Sequence, residues 1–142
     1  MSTVLIIGLN NCGKKTYIKN LKNVSSLTDV TYETSLSFND VTSNVWVNGC
    51  LIPRKFVLMF DCTKYRKDVQ YNLSCLRNDI RLIKEYYTNP EIVIVCNKID
   101  LCQELCVLNS IREYAIRKNI PFYKIPQESN VNLELPIIKL FA

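Results

Sequence analysis

The sequence predicts a doubly wound α/β fold built on a mostly parallel sheet. Short apolar runs recur at Thr3-Val4-Leu5-Ile6-Ile7, Phe56-Val57-Leu58-Met59-Phe60 and Glu91-Ile92-Val93-Ile94-Val95-Cys96. Each has the length of a strand but not the alternation of a half-wet one, so each reads as a strand buried on both faces. A strongly amphipathic helical stretch separates the second run from the third, and a glycine-bearing loop follows the first directly. Strand, crossover helix and parallel strand in succession give such a sheet, with ligands at the carboxyl ends of its strands. At 142 residues and 48% hydrophobic, the chain can bury one substantial core. No repeat, low-complexity tract or linker divides it, so residues 1–142 are expected to form a single domain.

The elements follow in order. Thr3 to Ile7 is the first strand, and Lys14 to about Leu21 is the first helix. Thr34 to Asn39 and Asn44 to Val47 are expected as two strands joined by a turn at Asn39-Asp40, an antiparallel hairpin. Phe56 to Phe60 is the central strand. Val69, Leu73, Leu76, Ile80, Ile83 and Tyr87 recur at steps of four and three, which places them on the core face of a long helix. Glu91 to Cys96 returns to the sheet. A helix is expected between Val107 and Lys118, starting either near Val107 or at Ser110, where Ser110 to Glu113 has capping-box spacing. Pro121 to Ile125 is the last strand, and a short helix follows Asn132, with Pro136 tolerable only in its first turn.

The loop Gly8-Leu9-Asn10-Asn11-Cys12-Gly13-Lys14-Lys15-Thr16 carries the first chemistry. It matches the phosphate-loop pattern GxxxxGKS/T at every position but the last, where Lys15 replaces a hydroxyl. Gly8 and Gly13 let the backbone turn around an anion, Asn11 tolerates positive φ, and Lys14 reaches terminal phosphates. Amides at the helix start add to the positive field. The residues expected to meet phosphate are Asn10, Asn11, Cys12, Gly13, Lys14, Lys15 and Thr16.

The third apolar run ends in Asn97-Lys98-Ile99-Asp100. A carboxylate at Asp100 can accept hydrogen bonds from N1 and the 2-amino group of guanine. Adenine lacks the amino donor, and a site built around such a pair rejects the analogue that leaves it unsatisfied. Alone, Asp100 would serve equally well as an ordinary cap. Behind a phosphate loop, it points to guanine.

With both motifs in place, the chain resembles a Ras-superfamily small GTPase, nearest the nuclear-transport Ran branch. Phe56 to Thr63 is similar to that branch's fourth strand and turn, Thr31-Tyr32-Glu33-Thr34-Ser35-Leu36 to its first switch, and Asn44-Val45-Trp46 to the strand before its second switch. The tail from Ser129 to Pro136 also resembles it, whereas Gly8 to Lys14 is nearer the Arf branch. The resemblance implies a P-loop small-GTPase fold, GTP or GDP as ligand, Asn97, Lys98 and Asp100 around the base, and Gln127 in the loop beside it. It also implies nuclear-transport factors as candidate protein partners, and a cytoplasmic location with the nucleus as the alternative.

Departures from the pattern bear on magnesium and hydrolysis. The strand at Asn44-Val45-Trp46 should continue into DxxGQ, whose aspartate supports magnesium and whose glutamine positions water. Here it runs Val47-Asn48-Gly49-Cys50-Leu51. Too few residues separate Cys50 from the next strand for a helix, so the second switch reads as truncated. The first-switch threonine aligns with Ser35, either a remaining magnesium ligand or an outward-facing strand serine. An ammonium at Lys15 repels a divalent cation by several kcal/mol at an effective dielectric of about 20, so magnesium is expected to bind poorly. Lys15 then either turns to solvent or replaces the metal as a phosphate counter-ion. Asp61, after its apolar run, reads either as a turn cap or as a Walker-B-like acid. The expectation is a guanine-nucleotide-binding protein with weak or absent hydrolysis; the competing one is a nucleotide-free pseudo-GTPase acting as an interaction module.

Bulk composition excludes other classes. The net charge of +5 is dispersed, and aromatic residues do not interleave with Lys64, Arg66, Lys67, Arg77 and Arg81, so no nucleic-acid partner is expected. No apolar run is long enough for a bilayer, and neither Ser2 nor the end Lys139-Leu140-Phe141-Ala142 signals lipidation, so no membrane partner is expected. Seven cysteines without a histidine, in no zinc-site spacing, read as reduced and mostly buried thiols.

Overall fold

Period-two alternation along the buried strands sorts the core into two layers, one on each face of the sheet. The computed structural model describes residues 2–9, 12–24, 30–38, 55–61, 66–87, 89–98, 105–126 and 133–142, without the side chains of 2, 24, 66–69, 72 and 105–107. The elements are β1 (Ser2–Ile7), α1 (Lys14–Val24), β2 (Val30–Ser35), β3 (Lys55–Asp61), α2 (Arg66–Tyr86), β4 (Glu91–Asn97), α3 (Leu105–Arg117), β5 (Phe122–Ile125) and α4 (Leu135–Leu140). The five strands lie in the order β2-β1-β3-β4-β5, and every neighbouring pair is parallel.

On one face, Leu5, Ile7, Phe56, Leu58, Phe60, Ile92, Ile94 and Cys96 pack against α2 and α3 through Leu73, Leu76, Ile80, Ile83, Leu108 and Ile111. On the other, Val4, Ile6, Val57, Met59, Val93 and Val95 pack against α1 and α4 through Tyr17, Leu21, Ile137 and Leu140. Strands covered on both sides have no wet face to alternate with, which is why their sequence is uniformly apolar. Each fully buried leucine or isoleucine contributes about 1.5 to 3 kcal/mol of transfer free energy. α3 begins ahead of Ser110, so Ser110 is an interior helical residue and its capping-box spacing marks no start. Pro136 occupies the first turn of α4, where its missing N–H costs nothing.

The strand after α1 corrects the sequence reading. Val30–Ser35 lies four residues earlier than expected and pairs in parallel with β1, Ser2 opposite Val30 through Ile7 opposite Ser35. Thr34 and Ser35 thus belong to a strand paired in parallel with β1. Phe38, expected within that strand, is instead fully buried beneath α2. It sits edge-on to Phe56 at 5.8 Å and to Tyr86 at 5.6 Å, and its amide donates to Asp79 Oδ1 at 3.0 Å. The expected second arm Asn44 to Val47, the segment 47–54 read as a truncated switch, and the site residues Asn10, Asn11, Asp100 and Gln127 lie outside the described residues.

Strand order reverses between β1 and β3, because the chain passes from β1 to β2 on one side and then to β3 on the other. In open sheets of this kind the crevice at the carboxyl ends beside that reversal is the usual ligand site. The loop after β1 and the end of β4 both open there.

Candidate nucleotide-binding site

The loop leaves β1 at Gly8, whose amide donates to Ser35 O at 3.1 Å. A Cβ on Gly8 would stand 2.6 Å from Cys12 Sγ and 2.8 Å from the carbonyl oxygen of Met59. That carbonyl belongs to the central strand and cannot retreat, so glycine is required. At Gly13 the requirement is double: φ is +98°, and a Cβ would stand 2.3 Å from Asn97 Nδ2. α1 starts at the next residue, and its first turn holds Lys14, Lys15 and Thr16 with no acidic side chain. Two lysines at the positive end of a helix oppose its dipole, an arrangement that an anion reverses into attraction.

Lys14 Nζ donates to the carbonyl of Gly8 and, at 3.4 Å, to that of Leu9, so the ammonium is held against its own loop. Burial depresses its pKa, the neighbouring Cys12 raises it, and Lys15 depresses it further. The Cys12 thiol is buried and is pushed above the ordinary cysteine range by desolvation, which Lys14 partly offsets. Cys12 is therefore an inert packing residue of the loop rather than a nucleophile.

The end of β4 is fastened to this loop. Asn97, 6% exposed, donates from Nδ2 to Cys12 O at 3.0 Å, bridging the two motifs. Lys98 adopts φ of 60°, and its ammonium pairs with Asp61 Oδ2 at 3.0 Å. Strand register explains the pair: Asp61 lies opposite Asn97, so the residue after Asn97 crosses the end of β3. Asp61 is thus neither a simple turn cap nor an open acid; it is 3% exposed and holds Lys98.

A cleft of about 240 Å³ opens between these parts. Gly13, Thr16, Tyr17 and Asn20 form one side, Asn97 and Lys98 another, and Ile125, Pro126 and Leu133 the third. The Tyr17 hydroxyl donates to Leu133 O at 2.9 Å, joining α1 to the segment before α4. Tyr17, Asn20 and Leu133 escaped the sequence reading, although a tyrosine hydroxyl on the apolar face of α1 is a signal that a polar partner must exist. A larger cavity of about 380 Å³ borders the other side of the loop, lined by Asp61 and Asp79 among mostly apolar side chains.

Of the residues expected at the site, Gly13, Thr16, Asn97 and Lys98 line the cleft, and Cys12 is joined to Asn97 beside it, whereas Lys14 is held against its own loop and does not line it. Lys15 is exposed on the first turn of α1 and does not line the cleft. Ser35 donates its hydroxyl to Ser37 O at 2.6 Å and accepts from the Ser37 amide at 3.4 Å, a local turn that occupies it. Among the described residues no three acidic, cysteine or histidine side chains gather to hold a metal. Asp61 is paired with Lys98, the Ser35 hydroxyl is engaged with Ser37, and Lys15 stands at the hydroxyl position of the phosphate-loop pattern.

No protein-family model and no curated protein matches the chain. Its structure is similar to that of the FeoB G domain from Methanococcus jannaschii, with a TM-score of 0.63 over 100% of both chains at 14% identity. The fold is that of a P-loop GTPase. At that identity the likeness extends to the fold alone; what the P-loop GTPase fold binds in this chain must be argued from its own residues. Among the described residues no helix is long and apolar enough to cross a membrane.

Proposed function

We propose that the chain binds a guanine nucleotide, GTP or GDP, as a degenerate small GTPase that depends little on magnesium and hydrolyses GTP weakly or not at all. The observation that carries this is the 3.0 Å bond from Asn97 to Cys12 O, which fastens a guanine-type motif to a phosphate-type loop across one cleft. In this reading the loop amides and the amino end of α1 receive the phosphates. Lys14 exchanges the Gly8 and Leu9 carbonyls for phosphate oxygens, restoring the full charge that burial disfavours. Thr16 lies toward the α-phosphate, and the Lys98 stem and the backbone around Pro126 flank the base. Asp100 accepts from guanine N1 and the 2-amino group, and Gln127 approaches from the neighbouring loop.

The finer assignment is Ran-like, resting on the strand-and-turn Phe56 to Thr63 and on the tail from Ser129 to Pro136, with transport factors as partners. Lys15, Val47 and Leu51 favour a second reading, a nucleotide-free module that uses the fold as an interaction surface. Calorimetric titration of the purified chain with GDP, GTP and ADP separates the two. Guanine nucleotides should bind and ADP should not, and Asp100→Asn should cost about 2 to 4 kcal/mol of GDP affinity without changing thermal unfolding. Equal affinity for ADP and GDP would remove the guanine assignment. No binding by a folded protein would leave the interaction module.

A further inference from the structure

Helices α2 and α3 cover one face of the sheet, and between them runs a groove of about 730 Å³. Positions 77, 80, 81, 84 and 85 share one face of α2, and 114, 117 and 118 share one face of α3, at the three- and four-residue steps of neighbouring turns. The deepest residues are Ile80 and Tyr114, 3% and 5% exposed, which supply the packing between the helices. Around them stand Arg77, Arg81, Lys84, Arg117 and Lys118 against the single carboxylate of Glu85. Five cations against one acid leave a surplus of four, where the formal surplus of the whole chain is +5. The rest of the molecule is close to neutral.

Arg81 is partly spent, bonding Glu85 at 3.1 Å and Asn78 at 2.7 Å. No other described ion pair falls in the groove. Arg77 lies 5.4 Å above the Tyr114 ring, and both Arg77 and Arg117 act on the Tyr114 hydroxyl, lowering a pKa that burial raises. Arg77 of α2 and Arg117 of α3 therefore both face Tyr114. Like charges so placed repel one another across the buried Ile80 and Tyr114.

We propose that the α2–α3 groove docks an acidic segment of a partner protein. Guanidinium forks on both walls suit carboxylates, which they bind bidentately. Nucleic acid fits less well: base stacking needs an open aromatic face, and Tyr114 is buried beneath Arg77. A membrane surface fits less well too, since the groove is concave and its apolar residues are buried rather than raised among the cations. The groove uses neither α1 nor the carboxyl ends of the strands, so docking is independent of nucleotide.

The test uses the full chain and a short fluorescein-labelled polyglutamate peptide, read by anisotropy at low and at physiological salt. The peptide should bind, more weakly as salt rises, and Lys84→Glu/Arg117→Glu should weaken binding roughly tenfold or more. Lys19→Glu/Lys22→Glu, an equal charge change on exposed α1 positions, should leave it intact. Thermal unfolding of the groove variant should occur no lower than that of wild type, because repulsion is relieved. If the peptide does not bind, if both double variants weaken it equally, or if oligouridylate or phosphatidylserine vesicles bind more tightly through Lys84 and Arg117, the proposal is overturned.

Discussion

Asp61 and Lys98 form an ion pair whose two halves differ in exposure, 3% against 20%, so removing either one leaves an unequal problem. Lys98→Met removes the cation paired with a buried carboxylate and should cost about 2 to 4 kcal/mol in urea unfolding, somewhat below the loss for a wholly buried pair. Asp61→Asn/Lys98→Met should cost less than Lys98→Met alone; strict additivity of the two single changes would show that the groups are not coupled. Lys14 carries a different electrostatic load. Its pKa is lowered in the folded chain, so between that value and the ordinary lysine value the unfolded state holds the extra proton, and stability rises with pH through this window. A protein with Lys14→Met should lack that alkaline rise. A saturating phosphate ligand should also suppress it in wild type, by returning the lysine to its charged form; an unchanged rise in the presence of GDP would argue that Lys14 does not meet phosphate.

At the scale of elements, a buried bond from Tyr17 to Leu133 O at 2.9 Å joins α1 to the segment before α4. Tyr17→Phe leaves that carbonyl without its partner and should lower stability by about 1 to 2 kcal/mol in chemical denaturation. If the bond also fixes the third side of the cleft, guanine-nucleotide affinity should fall with it, whereas Tyr86→Phe, on the opposite face of the sheet, should leave affinity unchanged. Which elements were readable follows from how they are buried. β1, β3 and β4 announce themselves because both faces are covered and no polar residue interrupts them. β2 does not. Its residues are half-buried or exposed, its Thr-Tyr-Glu-Thr run is mostly polar, and the stronger apolar signal lies at Leu36 and Phe38. Phe38 owes its burial to a tertiary aromatic cluster, which no local periodicity encodes. Within the site, Gly13, Lys14 and Asn97 were legible because backbone geometry and phosphate chemistry demand those residue types at that spacing. The Asp61 to Lys98 pair was not, since it depends on the register between two strands.

At the scale of the molecule, fold and chemistry part company. The sheet is that of a P-loop GTPase fold, yet the charges near the loop after β1 are not those of the phosphate-loop pattern. Lys15 puts a cation where a hydroxyl normally holds magnesium, Asp61 is committed to Lys98, and the Ser35 hydroxyl is committed to its own turn. Under the proposed function, phosphate charge is neutralised by lysines and backbone amides rather than by a divalent ion. The expected consequence is that GDP and GTP affinities differ little between excess magnesium and EDTA, and that GTP turnover stays at or below the slow intrinsic rate of small GTPases, on the order of 10⁻⁴ per second. Lys15→Thr restores the hydroxyl, so it should increase the magnesium dependence of binding without by itself restoring turnover, because Val47 and Leu51 still lack the supporting acid and the water-positioning amide. Isothermal titration under both metal conditions and phosphate-release kinetics, with Lys14→Ala as the inactive control, measure both quantities. Loss of wild-type binding in EDTA, or turnover of many cycles per minute that Lys14→Ala abolishes, would mean that the metal site has been rebuilt from other residues and that the fold keeps its chemistry as well as its shape.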